Sequence, residues 1–224
     1  MTSIWIVVPA FNEAATIREA LAGLRTLSCD IVLVDDCSTD STALLARAVG
    51  TCVLRHPVNL GQGAALQTGI TFALNKSATH IVTFDADLQH RVRDIPLLLN
   101  ALSEANADFA LGSRFLGSAP NIDRLRKLVL KAAVWFTRLT TGLEVTDAHN
   151  GIRAMTRRGA CSLNIRHNRM AHGSEILHQI AKSRLPYLEV PVVIEYTPYS
   201  KAKGQKLSNS VSIILELLSG ALQR

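Results

Sequence analysis

Apolar and polar positions fall into alternating blocks along this 224-residue chain. Short apolar, largely β-branched runs at 4–9 (IWIVVP), 30–35 (DIVLVD), 51–54, 81–84 (IVTF) and 108–112 (DFALG) predict buried strands. Between the first two, Ile17, Leu21, Leu24 and Leu27 keep helical spacing, predicting a helix from about Glu13 to Leu27 with Asn12 as its cap. Ser38, Thr39 and Asp40 form a turn and cap cluster ahead of a helix around 41–48, and a loop with Asn59, Gly61 and Gly63 opens another near 63–75. Asp94-Ile95-Pro96 begins a further helix, with Pro96 suited to its first turn. This alternation predicts an α/β fold with a mostly parallel central sheet flanked by helices. In such sheets ligands gather at the carboxyl ends of the strands, where the polar clusters of this chain fall.

From residue 120 the pattern changes. Residues 122–140 predict one or two helices that mix Arg124, Arg126, Lys127, Lys131 and Arg138 with Leu125, Leu128, Val129, Val134, Trp135 and Phe136. A polar loop, Asp147 to Arg153, leads into a short strand; a helix near 174–183 carries Glu175, and 187–196 predicts another strand. The basic stretch YSKAKGQKLSN has no periodicity, and a final amphipathic helix at about 208–222 sets Val211, Ile214, Leu215, Leu218 and Leu222 on one face. The expected organisation is a catalytic domain over 1–206, with a nucleotide and metal half at 1–113 and an acceptor half at 114–206, followed by the helical segment 207–224.

Charge divides the same way: five Lys and Arg face eight Asp and Glu before residue 91, and nineteen face ten after it. An acidic first half suits a metal and nucleoside hydroxyls; a basic second half suits phosphates on a donor, an acceptor or a membrane surface. Nucleic acid is not expected, because aromatic residues make up only 5% and no zinc-finger or RNP pattern is present. No apolar run approaches the ~20 residues of a spanning helix, and the N-terminus lacks the features of a signal peptide. Cys29, Cys37, Cys52 and Cys161 show no metal spacing and are expected as reduced, mostly buried thiols of a cytoplasmic protein.

The chemistry centres on HIVTFDADLQH, residues 80–90. Asp85, Asp87 and Gln89 follow the fourth strand two residues apart, and if extended geometry persists they point the same way. Two carboxylates and an amide oxygen make a hard oxygen site for Mg²⁺ or Mn²⁺ shared with substrate phosphates; helix capping is the plainer role. At the first strand's end, Pro9, Phe11 and Glu13 can hold a nucleoside, backbone and ring against the base and carboxylate on the ribose. Asp36 offers a carboxylate to a base edge, and Gly61 and Gly63 either let backbone approach the donor or merely turn into a helix.

These motifs in this order, Val8-Pro9-Ala10-Phe11-Asn12-Glu13, Asp35-Asp36, Asn59-x-Gly61-x-Gly63, Asp85-Ala86-Asp87-Leu88-Gln89-His90, Gly112-Ser113-Arg114 and Asp147-Ala148-His149-Asn150-Gly151-Ile152-Arg153, resemble the family 2 glycosyltransferases. The nearest resemblance is to the dolichyl- and polyprenyl-phosphate sugar synthase branch. It implies the GT-A fold and inverting transfer from a nucleotide-diphosphate sugar to a polyprenyl-phosphate acceptor in cell-envelope polysaccharide or glycoconjugate synthesis. It implies a donor site on Pro9, Ala10, Phe11, Glu13, Asp36, Gly61, Asp85, Ala86 and Lys206, and Mg²⁺ or Mn²⁺ on Asp85, Asp87 and Gln89. Arg114, Arg126 and Lys201 would meet the acceptor; Asp147 and Asp87 would be catalytic. The chain departs from the pattern on the acceptor side, with Leu130 in place of a serine and Lys201 in place of an arginine.

A phosphate acceptor needs little base help, whereas a saccharide hydroxyl, the alternative acceptor, needs a general base. Asp147 is the candidate, its other role being an ion pair with Arg153; His149 is expected as a solvated loop histidine. Lys201, Lys203 or Lys206 could close over the donor phosphates. Segment 122–140 suits the inner face of the cytoplasmic membrane, with cations toward lipid phosphates; the final helix would pack on the domain or on a second copy. The alternative of another class is a haloacid dehalogenase-like phosphohydrolase with Asp85 as nucleophile.

Overall fold

The structure, a computed structural model, describes residues 2–168, 171–197 and 199. In chain order the elements are β1 (Ile4–Ala10), α1 (Ile17–Leu24), β2 (Asp30–Asp35), α2 (Thr42–Ala48), β3 (Cys52–Arg55), α3 (Gln62–Asn75), β4 (His80–Thr83), α4 (Asp94–Glu104), β5 (Phe109–Ser118), α5 (Arg124–Thr141), β6 (Arg153–Thr156), α6 (Arg157–Cys161), α7 (His172–Ser183) and β7 (Tyr187–Val193). The strands form one sheet in the order β3-β2-β1-β4-β6-β5-β7. All pairings are parallel except those of β6, which runs against both β4 and β5.

Both faces of the sheet are covered, which is why its strands read as continuous apolar runs. Period-two alternation sends Ile6, Val8 and Val82 into one core with Leu21, Leu24, Ala46 and Leu98 of α1, α2 and α4. Val7, Ile81 and Met155 enter the other with Ile70 of α3, Ala160 of α6 and Ile176 and Leu177 of α7. Helix α5 is different: of its eighteen residues only Val134 and Thr137 are buried.

Several expectations change. Helix α1 begins at Ile17, because Asn12 sits in the left-handed region (φ 53°) and its side-chain oxygen accepts from the Thr39 amide at 2.9 Å instead of capping. Strand β5 runs on to Ser118, held by a second stretch of pairing with β7 at Val193. The cysteines are not mostly buried: Cys29 and Cys37 are half-buried, while Cys52 on the edge strand and Cys161 at the end of α6 are exposed, all as free thiols. The final helix at 208–222 lies outside the described residues.

Candidate active site

Strand β4 delivers the acidic cluster, but not in extended form. After Phe84 the chain turns, Leu88 takes φ 61°, and Asp87 Oδ1 accepts from the Gln89 amide at 3.1 Å. The two-residue spacing therefore works through a turn rather than a continued strand. Asp85 Oδ1 accepts from Gln62 Nε2 of α3 at 2.9 Å, and its Oδ2 meets His90 Nε2 at 3.1 Å. Gly151 packs so closely on this carboxylate that an added Cβ would fall on Asp85 Oδ2. Burial would raise the Asp85 pKa, but the hydrogen bond and charge of His90, with His172 and Arg153, bring it below the usual carboxylate value. Burial and the charge of Asp85 push Asp87 up to about 6. One oxygen of Asp87 and the Gln89 side-chain amide have no hydrogen-bond partner among the described residues. An acid held up by a neighbouring acid, beside uncommitted oxygens, fits a divalent cation shared with a diphosphate. No cluster of three His, Cys, Asp or Glu suited to a metal exists among the described residues, so any cation here would need the Gln89 oxygen and substrate oxygens.

On the β1–β2 side, Pro9 and Ala10 are buried, in register with Val34 and Asp35, and Phe11 stands 41% exposed beyond them. Glu13 Oε2 accepts from Thr16 Oγ1 at 3.1 Å and from the Tyr199 hydroxyl at 2.8 Å; burial and Glu13 push that tyrosine's pKa up to about 12. Asp36 is buried, and its carboxylate accepts from the amides of Leu60 (2.9 Å) and Gly61 (2.6 Å) and meets His56 Nδ1 at 2.7 Å. The far nitrogen of His56 lies 3.0 Å from Thr68 Oγ1. Asp36 thus holds the Asn59–Gly61 loop from below, leaving room for one further hydrogen bond on its oxygens. Gly61 takes φ 104° at the entry to α3, and Gly63 presses on the His167 carbonyl, so the second glycine serves packing against a loop rather than approach to a donor. Ala86 is buried behind the acidic turn.

Beyond β4, Arg114 organises the other side. Its Nε donates to Asp147 Oδ2 at 2.6 Å, Nη1 to the Tyr196 hydroxyl at 2.8 Å, and Nη2 to the His149 carbonyl at 2.7 Å. The Asp147 carboxylate also accepts from the backbone of Arg114 and of His149. Asp147 therefore pairs with Arg114 and not with Arg153, and buried at 3% exposure it is a poor candidate for a free base. Arg114 is also buried, with three of its five N–H donors on protein oxygens and one left on each of Nη1 and Nη2. The Arg126 guanidinium lies 5.0 Å over the Tyr196 ring. His149 is half-buried rather than freely solvated: its Nδ1 is buried without a partner among the described residues, and burial, with the charges of Arg114, Arg153 and His172, lowers its pKa to about 4 against the opposing pull of Asp147. Lys201, Lys203 and Lys206 lie outside the described residues.

Gln62, His56 and Tyr196 were not singled out from the sequence. Gln62 stands between two glycines at a helix entry on the ligand edge, and His56 follows a strand three residues before Asn59, positions where a polar side chain is a usable signal.

The model for Glycosyl transferase family 2 matches residues 5–166, and the chain belongs to that family. An uncharacterized protein of Methanocaldococcus jannaschii is 34% identical, covering 96% of this chain and 90% of its own length. A UDP-N-acetylglucosamine–dolichyl-phosphate N-acetylglucosaminyltransferase of Methanococcus voltae is 29% identical over 96% and 94% of the two chains. An undecaprenyl-phosphate mannosyltransferase of Micrococcus luteus is 31% identical over 66% and 64%. Among solved structures, glucosyl-3-phosphoglycerate synthase from Mycobacterium tuberculosis with Mn²⁺, UDP and glucosyl-3-phosphoglycerate superposes with a TM-score of 0.74 at 22% identity, covering 97% of this chain and 79% of that one. The fold is GT-A, and the protein is a family 2 glycosyltransferase; membership of this family sets aside the phosphohydrolase alternative.

Proposed function

We propose that this enzyme moves a sugar, with inversion, from a nucleotide-diphosphate sugar to the phosphate of a polyprenyl-type lipid at a membrane surface, using Mg²⁺ or Mn²⁺ on Asp85, Asp87 and Gln89. The observation that carries the reading is the acid pair at the end of β4, with Asp87 held up to about 6 and an oxygen uncommitted. A bound cation would neutralise charge on the departing diphosphate. Phe11, Glu13 and the loop tethered by Asp36 would hold the nucleoside. Beyond β4, Asp147 is fixed by Arg114, which favours an acceptor that arrives already ionised over a hydroxyl that must lose a proton. The names of the Methanococcus voltae and Micrococcus luteus relatives also point to lipid-phosphate acceptors.

Helix α5 supports the surface location. Leu125, Leu128, Trp135 and Leu139, at spacings of three, seven and four, are 57–65% exposed on it. The helix carries Arg124, Arg126, Lys127, Lys131 and Arg138 and no carboxylate, so pairing two copies would set like charges together, whereas anionic lipid complements them. Among the described residues no helix is long and apolar enough to cross a membrane. The test is nucleoside diphosphate release from candidate nucleotide sugars. Release that requires Mn²⁺, is stopped by EDTA and depends on a prenyl phosphate supports the reading; release driven only by soluble saccharides refutes the acceptor.

A further inference from the structure

His56, the first residue after β3, is buried and held on every side. Its backbone N–H donates to the Asp35 carbonyl at 2.9 Å. Its ring bridges two elements, with Nδ1 2.7 Å from Asp36 Oδ1 and Nε2 3.0 Å from Thr68 Oγ1 on α3. A carboxylate only accepts, so Nδ1 carries a proton and donates it; Nε2 of the neutral ring then accepts from the Thr68 hydroxyl. At that point α3 lies so close to the sheet that a Cβ on Gly69 would fall on the Val7 side chain. His56 therefore ties Asp36 to the body of the fold. Its neighbour Arg55 holds the preceding acid, with Nε 3.0 Å from Asp35 Oδ2 and Nη2 donating to the Ser38 carbonyl at 2.9 Å. With both ring nitrogens engaged inside the protein, His56 can act on a ligand only through Asp36.

The consequence lies in what Asp36 has left to give. A carboxylate offers about four lone-pair positions. On Oδ1, His56 and the Leu60 amide fill both; on Oδ2, the Gly61 amide fills one. The Asp36 side chain is only 4% exposed, so a base edge that reaches it meets one acceptor on Oδ2 and no second beside it. Guanine sets two N–H donors side by side, on N1 and on its 2-amino group, and pairs best with both oxygens of an open carboxylate. Uracil offers a single N–H, at N3. Cytosine and adenine put a ring-nitrogen lone pair next to their amino group, which a carboxylate repels. Resting on the reading of this edge as the nucleoside end of a nucleotide-sugar site, we propose that His56 is a specificity-determining residue that selects uracil over guanine. It does so by filling Asp36 Oδ1 and holding the carboxylate still, which leaves one acceptor for one N–H. His56 is thus a positioning residue, and Thr68 supports it by fixing the tautomer.

The experiment titrates wild type, His56→Leu, His56→Asn and Thr68→Val with UDP, with UDP methylated at N3 and with GDP, all in Mn²⁺, by calorimetry. Wild type should bind UDP about tenfold or more tighter than either of the other two, the worth of a hydrogen bond to a charged group. His56→Leu frees Oδ1 and lets the carboxylate turn; it should weaken UDP and cut the preference over GDP about fivefold or more, the worth of one ordinary hydrogen bond. His56→Asn can place an amide N–H where Nδ1 stood and should keep most of that preference, with Thr68→Val between the two. Should His56→Leu not fold, His56→Asn and Thr68→Val carry the comparison. The ratio of the two affinities is the informative quantity, because a merely structural histidine would lower both together. Equal loss of UDP and GDP in the His56 and Thr68 variants, or a wild type indifferent to methylation at N3, overturns the assignment. Wild type that prefers GDP defeats it too and leaves the nucleotide-sugar reading intact, whereas wild type that binds neither nucleotide defeats that reading and this assignment with it.

Discussion

Asp87 provides a stability test that needs no substrate. Its pKa rises from the ordinary 3.8 to about 6, through burial and the negative charge of Asp85. An acid whose native pKa exceeds its unfolded value favours folding when protonated, and that advantage is lost as pH rises through the native value. Ionised Asp87 therefore destabilises the metal-free protein at neutral pH. About two units at 1.36 kcal/mol each is about 3 kcal/mol. Asp87→Asn keeps the shape and removes the charge. In EDTA at pH 8 the variant should be the more stable protein by up to about 3 kcal/mol, or roughly 6–12 °C in Tm for a chain of this size. The gap should fall to about half at pH 5 and close toward pH 3. Mn²⁺ should raise the wild-type Tm and leave the variant where it was. Differential scanning fluorimetry across pH, with EDTA or Mn²⁺, reads all of this. A variant that melts at or below wild type at pH 8, or a gap indifferent to pH, would refute the view that this pair is held together against its own repulsion.

Asp36→Ala should weaken nucleoside diphosphate by about tenfold or more while Mn²⁺ binding at the acid pair changes little, because the Leu60 and Gly61 amides lose their anchor; parallel loss of both in titration calorimetry would place Asp36 in the metal site. Asp147→Asn should lower turnover without removing a basic limb from the pH–rate profile, since Asp147 positions Arg114; a lost limb would restore it as the base. The Arg126→Glu, Lys127→Glu double variant should lose salt-sensitive sedimentation with anionic liposomes and still bind nucleotide, attraction to the surface being screened over about 10 Å at 0.1 M salt; undiminished sedimentation would remove α5 from the membrane.

Much of the fold was legible because strands covered on both faces leave unbroken apolar runs, as IWIVVP and IVTF do. The direction of β6 was not: period two is the same whichever way a strand runs, and only pairing partners decide it. Asn12 misled because an asparagine before a helix looks the same whether its side chain caps that helix or, as here, the neighbouring loop. The acidic cluster and its neighbours could be located by order and spacing, yet the division of labour among cations could not. Arg114 follows a short apolar segment and Arg153 a polar loop, and only the placement of Asp147, Tyr196 and the His149 carbonyl shows that Arg114, and not Arg153, takes the Asp147 pair. His149 reads as polar in a polar loop; the burial of its Nδ1 is a property of everything packed over it.

Gly151 leaves no slack between the loop that begins at Asp147 and the Asp85 carboxylate. A ligand that shifted the loop would then also shift Asp85, one of the oxygens proposed for the cation, and a cation that drew in Asp85 would tighten the loop. Coupling of that kind is reciprocal. Metal affinity measured with and without a bound acceptor should then change by the same factor as acceptor affinity measured with and without metal, so that order of addition affects rates and leaves the final equilibrium untouched.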